Sequence, residues 1–346
     1  MLTAADEWHV HQTPEPIAVA GTDRNFYDRS FFGGWTPDGS AFFAIAFGIY
    51  PHLNVADAHL TIVRDGRQHC LHASKVLHSD RATLAVGPIS IEIVEPLAAL
   101  RVRVTETDGL AADLLFTGRH FPVEEPRFMF RFGPRAFMDY TRLSQAARVT
   151  GSLGLDGETI AVDGVGVRDR SWGIRPIGAG DPAPMVPAQA PQFFWLWSPV
   201  QFAEETTFWH ANEDAAGVAW NTRAVVCPDG GEQSHTHGDM TLSLSEGTRW
   251  VDGATLAFGD RAYEYEPITH LEMQGIGYRH PEWSHGTYRG TELDVAREDF
   301  ALADSDPNDL HRWHRQILCR VRCGDETGMG ILEHLIIGAH APTGLT

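Results

Sequence analysis

Apolar and polar residues alternate with a period of two along most of this chain. In Ile89–Glu95, Ile89, Ile91 and Ile93 alternate with Ser90, Glu92 and Val94. In the segment from Leu100 to Glu106, Leu100, Val102 and Val104 face one way, and Arg101, Arg103 and Thr105 the other. The stretches Arg127–Phe132, Asp239–Ser245 and Gln316–Cys323 follow the same rule. Such alternation predicts strands with one buried and one wet face. The run Ser40–Tyr50 is apolar at nearly every position and predicts a strand buried on both sides.

Turn signals separate these runs. They fall at Pro37-Asp38-Gly39, Asp65-Gly66, Asp108-Gly109, Asp156-Gly157, Pro228-Asp229-Gly230-Gly231 and Asp252-Gly253. Short alternating strands joined by Asp-Gly turns indicate antiparallel hairpins, hence barrels or sandwiches. The segment Asp304–His314 is expected to hold one short helical turn. Pro176 to Gln192 carries five prolines and no alternation, which reads as a linker or a long surface loop. The expected organisation is therefore all-β: an N-terminal domain over residues 1–175, a proline-rich connection over 176–191, and a C-terminal domain over 192–346.

Composition narrows the function. The 346 residues carry a net charge of −19, which argues against binding to the nucleic-acid backbone or to an anionic membrane surface. Lys75 is the only lysine and so the only side-chain amine available for Schiff-base chemistry. Four cysteines, Cys70, Cys227, Cys319 and Cys323, are too few and too unpatterned for a disulfide scaffold. The N-terminus has no secretory pattern, and no run approaches the roughly 18 apolar residues of a membrane span. A soluble, cytoplasmic protein is expected, with a homodimer left open. There is no Gly-x-Gly-x-x-Gly after a strand, no P-loop, no Gly-x-Ser-x-Gly elbow and no Cys-x-x-Cys. No cofactor is expected.

One segment is unusual in packing strongly polar groups around a tryptophan: Gly166-Val-Arg-Asp-Arg-Ser-Trp-Gly-Ile-Arg-Pro176. With Gln145, Val149 to Gly151 and the Asp156-Gly157 hairpin before it, this stretch resembles the centre of the AttH-like and carotenoid 1,2-hydratase-like superfamily. The element that carries the likeness is Gly166, Asp169, Ser171, Trp172 and Gly173. Phe193 to Asp214 resembles the opening strand pair of that group's second domain, and Gly328 to Gly338 its last strand. The resemblance implies two lipocalin-like β domains and an apolar pocket with few polar groups, and thus a hydrophobic ligand. In the hydratases a Tyr and an Asp of this element are implicated in catalysis, with a His-x-Trp pair upstream. Here the Asp position is Asp169, the Tyr position falls on Val167, and the His and Trp positions fall near Tyr140 and Arg142. The resemblance carries over one acid, Asp169, with Tyr140 as a phenolic substitute.

Judged on its own chemistry, Asp169 suits proton transfer to carbon only if its surroundings keep the carboxyl protonated near neutral pH. Arg168 and Arg170 alternate with it and should point to the opposite face, as should Trp172. The competing reading pairs Asp169 with Arg175 or another arginine to fix the domain junction. His210, beside Trp209 at a strand end, and His237 are candidates for a second proton-transfer group. His235, His237 and Asp239 share a face at i, i+2 and i+4 and are compatible with a metal, although a solvated hairpin tip accounts for them as well. His280, Glu282 and His285 lie in a Gly/Pro-rich stretch that reads as a surface loop. Trp195 and Trp197 face one way and Phe194 and Leu196 the other, so one pair belongs to a core and the other to a pocket wall. Trp172 and Arg119 are further candidates for ligand contact. The function expected is a cofactor-independent lyase, hydratase or isomerase for a terpenoid, steroid-like or aromatic molecule. The alternative is a non-catalytic carrier of a hydrophobic ligand. Convergent titratable groups in the cavity would favour the enzyme.

Overall fold

The computed structural model describes residues 3, 10–19, 21, 23–178, 180, 191–231, 233–235 and 238–346, with 233–235 described as backbone only. Most of the proline-rich connection lies outside them. Antiparallel strands dominate. In the first half they are β1 (Phe26–Trp35), β2 (Ala41–Tyr50), β3 (Val55–Arg64), β4 (Arg67–Val76), β5 (Ala85–Val86), β6 (Ile89–Glu95), β7 (Ala99–Thr107), β8 (Leu110–Gly118), β9 (Val123–Glu124), β10 (Phe128–Phe132), β11 (Arg135–Leu155) and β12 (Glu158–Ile174). The second half holds β13 (Phe193–Gln201), β14 (Glu205–Glu213), β15 (Ala219–Pro228), β16 (Gln233–His235), β17 (Asp239–Leu244), β18 (Val251–Phe258), β19 (Arg261–Glu272), β20 (Leu293–Ala301), β21 (Arg315–Cys323) and β22 (Glu326–Ile337).

They form two sheets. The first runs β20-β4-β3-β2-β1-β12-β11-β8-β7-β6-β5 and curls into a nearly closed barrel. The second runs β16-β15-β14-β13-β22-β21-β19-β18-β17 and makes a half-barrel. A strand of the second half joins the first sheet: β20, late in the sequence, adds to its edge beside β4. The expected turns join β1 to β2, β3 to β4, β7 to β8 and β11 to β12. The Asp252-Gly253 turn is not one of them. Both residues lie inside β18, where Gly253 faces Ser243 beside a register shift, and the reversal comes earlier, at residues 245–250. The expected helical turn is a short 3-10 segment, Leu310–Arg312, capped by the Asp309 carboxylate.

Alternation sorts the apolar residues into three cores. Phe32, Phe43, Ile45, Leu60, Leu71 and Phe116 fill the interior of the barrel. Phe194, Leu196, Trp209, Tyr263 and Ile336 fill the concave side of the second sheet. The opposite faces of both sheets meet in a third layer, with Tyr27, Phe31, Tyr140, Trp195, Trp197 and Leu335 among its members. The interior of the barrel is packed mainly with hydrocarbon, that of the second sheet adds Trp209, Tyr263 and Tyr265, and the layer between the sheets also carries charged groups. The sheets are also tied by polar contacts. Gln68 acts like an added peptide, donating to the Glu272 carbonyl at 2.7 Å and accepting from its N–H at 2.8 Å.

Candidate functional site

The register of three strands builds the polar part of the middle layer. Asp169 on β12 lies opposite Phe31 of β1 and Ser144 of β11. Two residues on, Ser171 lies opposite Arg29 and Arg142; two further, Gly173 lies opposite Tyr27 and Tyr140. Paired residues share a face. Tyr27, Arg29, Asp169, Ser171, Tyr140, Arg142 and Ser144 therefore all point towards the second sheet. From that sheet, the register of β13 with β14 and β22 presents Trp195, Trp197, His210 and Glu333 to them.

Arg142 is the hub. It is 6 % exposed, and its guanidinium lies over the rings of Trp195 at 4.9 Å and Trp197 at 4.5 Å. Its Nε sits 3.3 Å from Glu125 and 3.9 Å from Asp169. Neither contact is an aligned hydrogen bond, and the Nε and Nη2 groups of Arg142 have no acceptor among the described residues. Glu125 accepts from the Ser144 hydroxyl at 2.6 Å. Glu333 is more firmly held: Trp195 Nε1 donates to it at 2.7 Å, Gln316 Nε2 at 2.7 Å, and His314 Nε2 lies at 3.0 Å. Arg175, just past the end of β12, stacks over Tyr27 at 4.1 Å and faces Tyr278 at 5.5 Å.

Environment drives two carboxyls of this layer apart. Burial raises Asp169 to about 6; Arg142 pulls against that, and the negative charges of Glu333 and Glu125 push it higher. Burial acts on Glu333 in the same sense, but the hydrogen bonds from His314 and Gln316 overcome it and hold Glu333 at about 2. One carboxyl is thus poised near neutrality beside another that stays ionised, the pattern that separates an acid–base group from a fixed charge. Asp169 keeps 18 % of its side chain accessible and Glu333 11 %, although both sit between the sheets.

The structure brings together Asp169, Tyr140, His210, Trp195 and Trp197. Tyr140 stacks flat on Phe128 at 4.5 Å, and burial raises its hydroxyl well above the usual range. His210 lies behind Phe128, 5.2 Å from its ring. It bonds Asn221 through Nε2 at 2.9 Å, and its Nδ1 stands 3.8 Å from Glu125. Burial lowers its pKa, so the ring stays neutral. It is a neighbour of Glu125 and does not reach the Asp169 carboxyl directly. The competing reading paired Asp169 with Arg175 or another arginine, and the cation beside it is Arg142, at 3.9 Å.

Two candidates stand elsewhere. Trp172 projects from the other face of β12, as its odd spacing from Asp169 requires, and is 38 % exposed. Arg119 bridges the two sheets at the surface, donating to Asp229 at 2.8 Å and to the carbonyls of Phe202 and Ala203 at 2.7 Å. His237 lies outside the described residues. Of its proposed companions, His235 is described only as backbone of β16, and Asp239 opens β17 at an exposed position.

Sequence reading missed Arg142, Arg175, Glu125 and Glu333 as site residues. One signal was available for Glu333: a carboxylate in the middle of the apolar run Ile331 to Ile337. It also took His280, Glu282 and His285 for a solvated loop. In the structure His285 is 2 % exposed, and His280 joins His72 and Glu298 at a cleft of about 260 Å³. The donor atoms of these three lie within 4.8 Å of one another, a spacing compatible with a metal. The tautomer argues otherwise. His280 Nδ1 accepts the backbone N–H groups of Glu282 and Trp283 at 3.1 and 2.9 Å, which places the ring proton on Nε2. That N–H points at Glu298, 3.2 Å away, so the nitrogen a metal would need is already protonated.

With this geometry in view, comparison with known proteins identifies the family. A family model described as "Family of unknown function (DUF8625)" matches residues 2–346. The chain belongs to that family. Among solved structures, it is similar to a candidate AttH from Nitrosomonas europaea, with a TM-score of 0.58 and 14 % identity over 95 % of this chain and 98 % of that one. It is also similar to CghA in its structure with Sch210972, with a TM-score of 0.52 and 12 % identity over 91 % and 89 % of the two chains. No curated protein matches. The AttH-like fold expected from the Asp169–Gly173 element is therefore the fold of this DUF8625 member. Among the described residues, no helix is long and apolar enough to cross a membrane.

Proposed function

We propose that this DUF8625 protein is a cofactor-independent lyase or isomerase that moves a proton to or from carbon in a hydrophobic, unsaturated small molecule bound between its two sheets. The observation that carries the reading is Asp169. Its carboxyl, raised to about 6, keeps 18 % of its side chain accessible between the sheets, and in this reading the ligand occupies a chamber there beside Tyr140, Trp195 and Trp197. A carboxyl with that pKa donates and accepts protons near neutral pH. In the forward step the π electrons of a C=C bond take the Asp169 proton and form the new C–H bond. The cation left on the neighbouring carbon is then discharged by water, whose surplus proton passes to the Asp169 carboxylate and gives hydration, or by loss of a different proton back to that carboxylate, which gives isomerisation. The ionised Glu333 lowers the energy of that cation, and Trp195 and Trp197 shield it from bulk water. Tyr140 is the second polar group at the chamber wall.

Several titratable groups converge here, which favours catalysis over simple carriage of a ligand. In this reading the protein works in the cytoplasm, and the substrate is of terpenoid, steroid-like or aromatic character. The test is extraction of the ligand from protein purified from its own host, followed by incubation of that compound with fresh protein in D₂O. Wild type is expected to introduce deuterium at carbon. Asp169→Asn is expected to fold and to exchange at least about a hundredfold more slowly. A folded Asp169→Asn variant with wild-type exchange overturns the assignment. A compound that is bound and never altered returns the carrier.

A further inference from the structure

Two arginines of the middle layer keep hydrogen-bonding capacity that no neighbouring acceptor meets. Arg175 has no carboxylate within ion-pair distance among the described residues, and its Nε and Nη2 groups have no hydrogen-bond acceptor. Arg142, although 6 % exposed, likewise leaves Nε and Nη2 without an acceptor. A buried polar group without a partner is costly, and more so when it is charged. The acids nearby are partly committed. Glu333 serves Trp195, His314 and Gln316, and Glu125 takes the Ser144 hydroxyl on Oε1 while its Oε2, 3.3 Å from Arg142 Nε, is itself without a hydrogen-bond partner. Asp57 takes the Tyr50 hydroxyl at 3.1 Å and the Gly286 N–H at 2.7 Å. Asp169 accepts no hydrogen bond from these arginines; Arg142 Nε stands 3.9 Å away.

On the face of β12 that carries Asp169, Arg142 lies opposite Ser171 and Tyr140 opposite Gly173, and Arg175 stacks on Tyr27, whose ring is 6.1 Å from that of Tyr140. Stacking on aromatic rings holds each guanidinium flat and leaves its edge N–H groups free, the presentation that suits a planar oxyanion.

We propose that the ligand of this chamber carries an acidic oxygen group, a carboxylate or an enolate, which Arg175 and Arg142 bind while its unsaturated body lies along Tyr140 and Trp195 towards Asp169. The inference rests on the chamber being the ligand site, as the proposed function holds, and it narrows the substrate class to organic acids.

The experiment compares two probes of one shape by isothermal titration calorimetry on the full chain: 2-naphthoate and 2-naphthalenemethanol. The acid is expected to bind at least about tenfold more tightly than the alcohol, the return on one or two charge-assisted hydrogen bonds. Arg175→Gln should abolish that preference and leave the alcohol unchanged. Arg175→Lys keeps the cation and should retain part of the preference, which separates loss of charge from a damaged fold. Equal binding of both probes by wild type, or a preference that survives Arg175→Gln, overturns the organic-acid inference and leaves the chamber standing. If neither probe binds folded wild-type protein, both the chamber and the inference fall.

Discussion

The sharpest consequence of the Asp169 environment is that removing its charge should stabilise the protein, and only at the pH where the charge exists. Burial raises the carboxyl from 3.8 to about 6 in the folded state. Below the unfolded value, folded and unfolded chains both hold the proton, and the site costs nothing through ionisation. As pH rises from about 4 to about 6, the unfolded chain releases its proton and the folded chain resists. Above about 6 both are ionised, and the folded state bears the full penalty. At 1.36 kcal/mol for each tenfold change in the proton equilibrium, a displacement from 3.8 to about 6 corresponds to about 3 kcal/mol. The pull of Arg142 is already contained in that value. Asp169→Asn keeps the shape and removes the charge. It is expected to raise the free energy of unfolding by up to about 3 kcal/mol at pH 7.5 and to leave it nearly unchanged at pH 4. Urea denaturation of wild type and variant at the two pH values measures the difference. Asp57, also raised to about 6 by burial, titrates alike in both proteins and cancels. A variant that is less stable at pH 7.5, or whose gain is the same at both pH values, refutes the account of a carboxyl held at the expense of stability.

Two further substitutions test the geometry around it. Gly173 has φ +137°, and a Cβ there would lie 2.3 Å from the Asp139 carbonyl oxygen and 2.6 Å from Tyr140 Cα. Gly173→Ala should cost at least about 2 kcal/mol in urea unfolding through backbone strain and displacement of Tyr140; a neutral result would show that this strand junction yields freely. Trp172→Ala removes an indole on the face away from Asp169. It should change stability by less than about 1 kcal/mol and leave 2-naphthoate affinity unaltered. Loss of affinity would return Trp172 to the ligand site.

Much of the architecture was legible because alternation is a local property. Ile89 to Glu95 and Gln316 to Cys323 announce their strands within a few residues, and Asp65-Gly66 or Asp156-Gly157 announce the reversals between them. The same rule placed Phe194 and Leu196 in one core and Trp195 and Trp197 in another. It failed at Asp252-Gly253, where the dipeptide sits next to a strand irregularity and the true turn uses Gly247, at φ +72°. The site was legible only in part. Asp169 and Tyr140 are on neighbouring strands joined by one hairpin, so a local element exposes them. Arg175, Tyr27 and Tyr278 meet through pairings that span most of the chain, and no local window contains them. β20 was out of reach for the same reason: its partner β4 lies more than two hundred residues away.

The location of the site follows from the way the alternation is spent. Each sheet commits one face to an apolar interior: that of the first is filled mainly with Phe, Leu, Ile, Val and Ala side chains, and that of the second adds Trp209, Tyr263 and Tyr265. The remaining faces would meet water if the sheets separated, so they carry the arginines, carboxylates, tyrosines and histidines. Bringing the two sheets together removes those groups from solvent without removing their charge. It raises Asp169, fixes Glu333 as an anion through three donors, and leaves Arg142 and Arg175 with unmet hydrogen-bonding capacity. Proton transfer and recognition of an acidic ligand thus have the same physical origin, the burial of two wet faces against each other. A substitution that loosens the seam should weaken both at once, whereas one inside either barrel should affect stability alone.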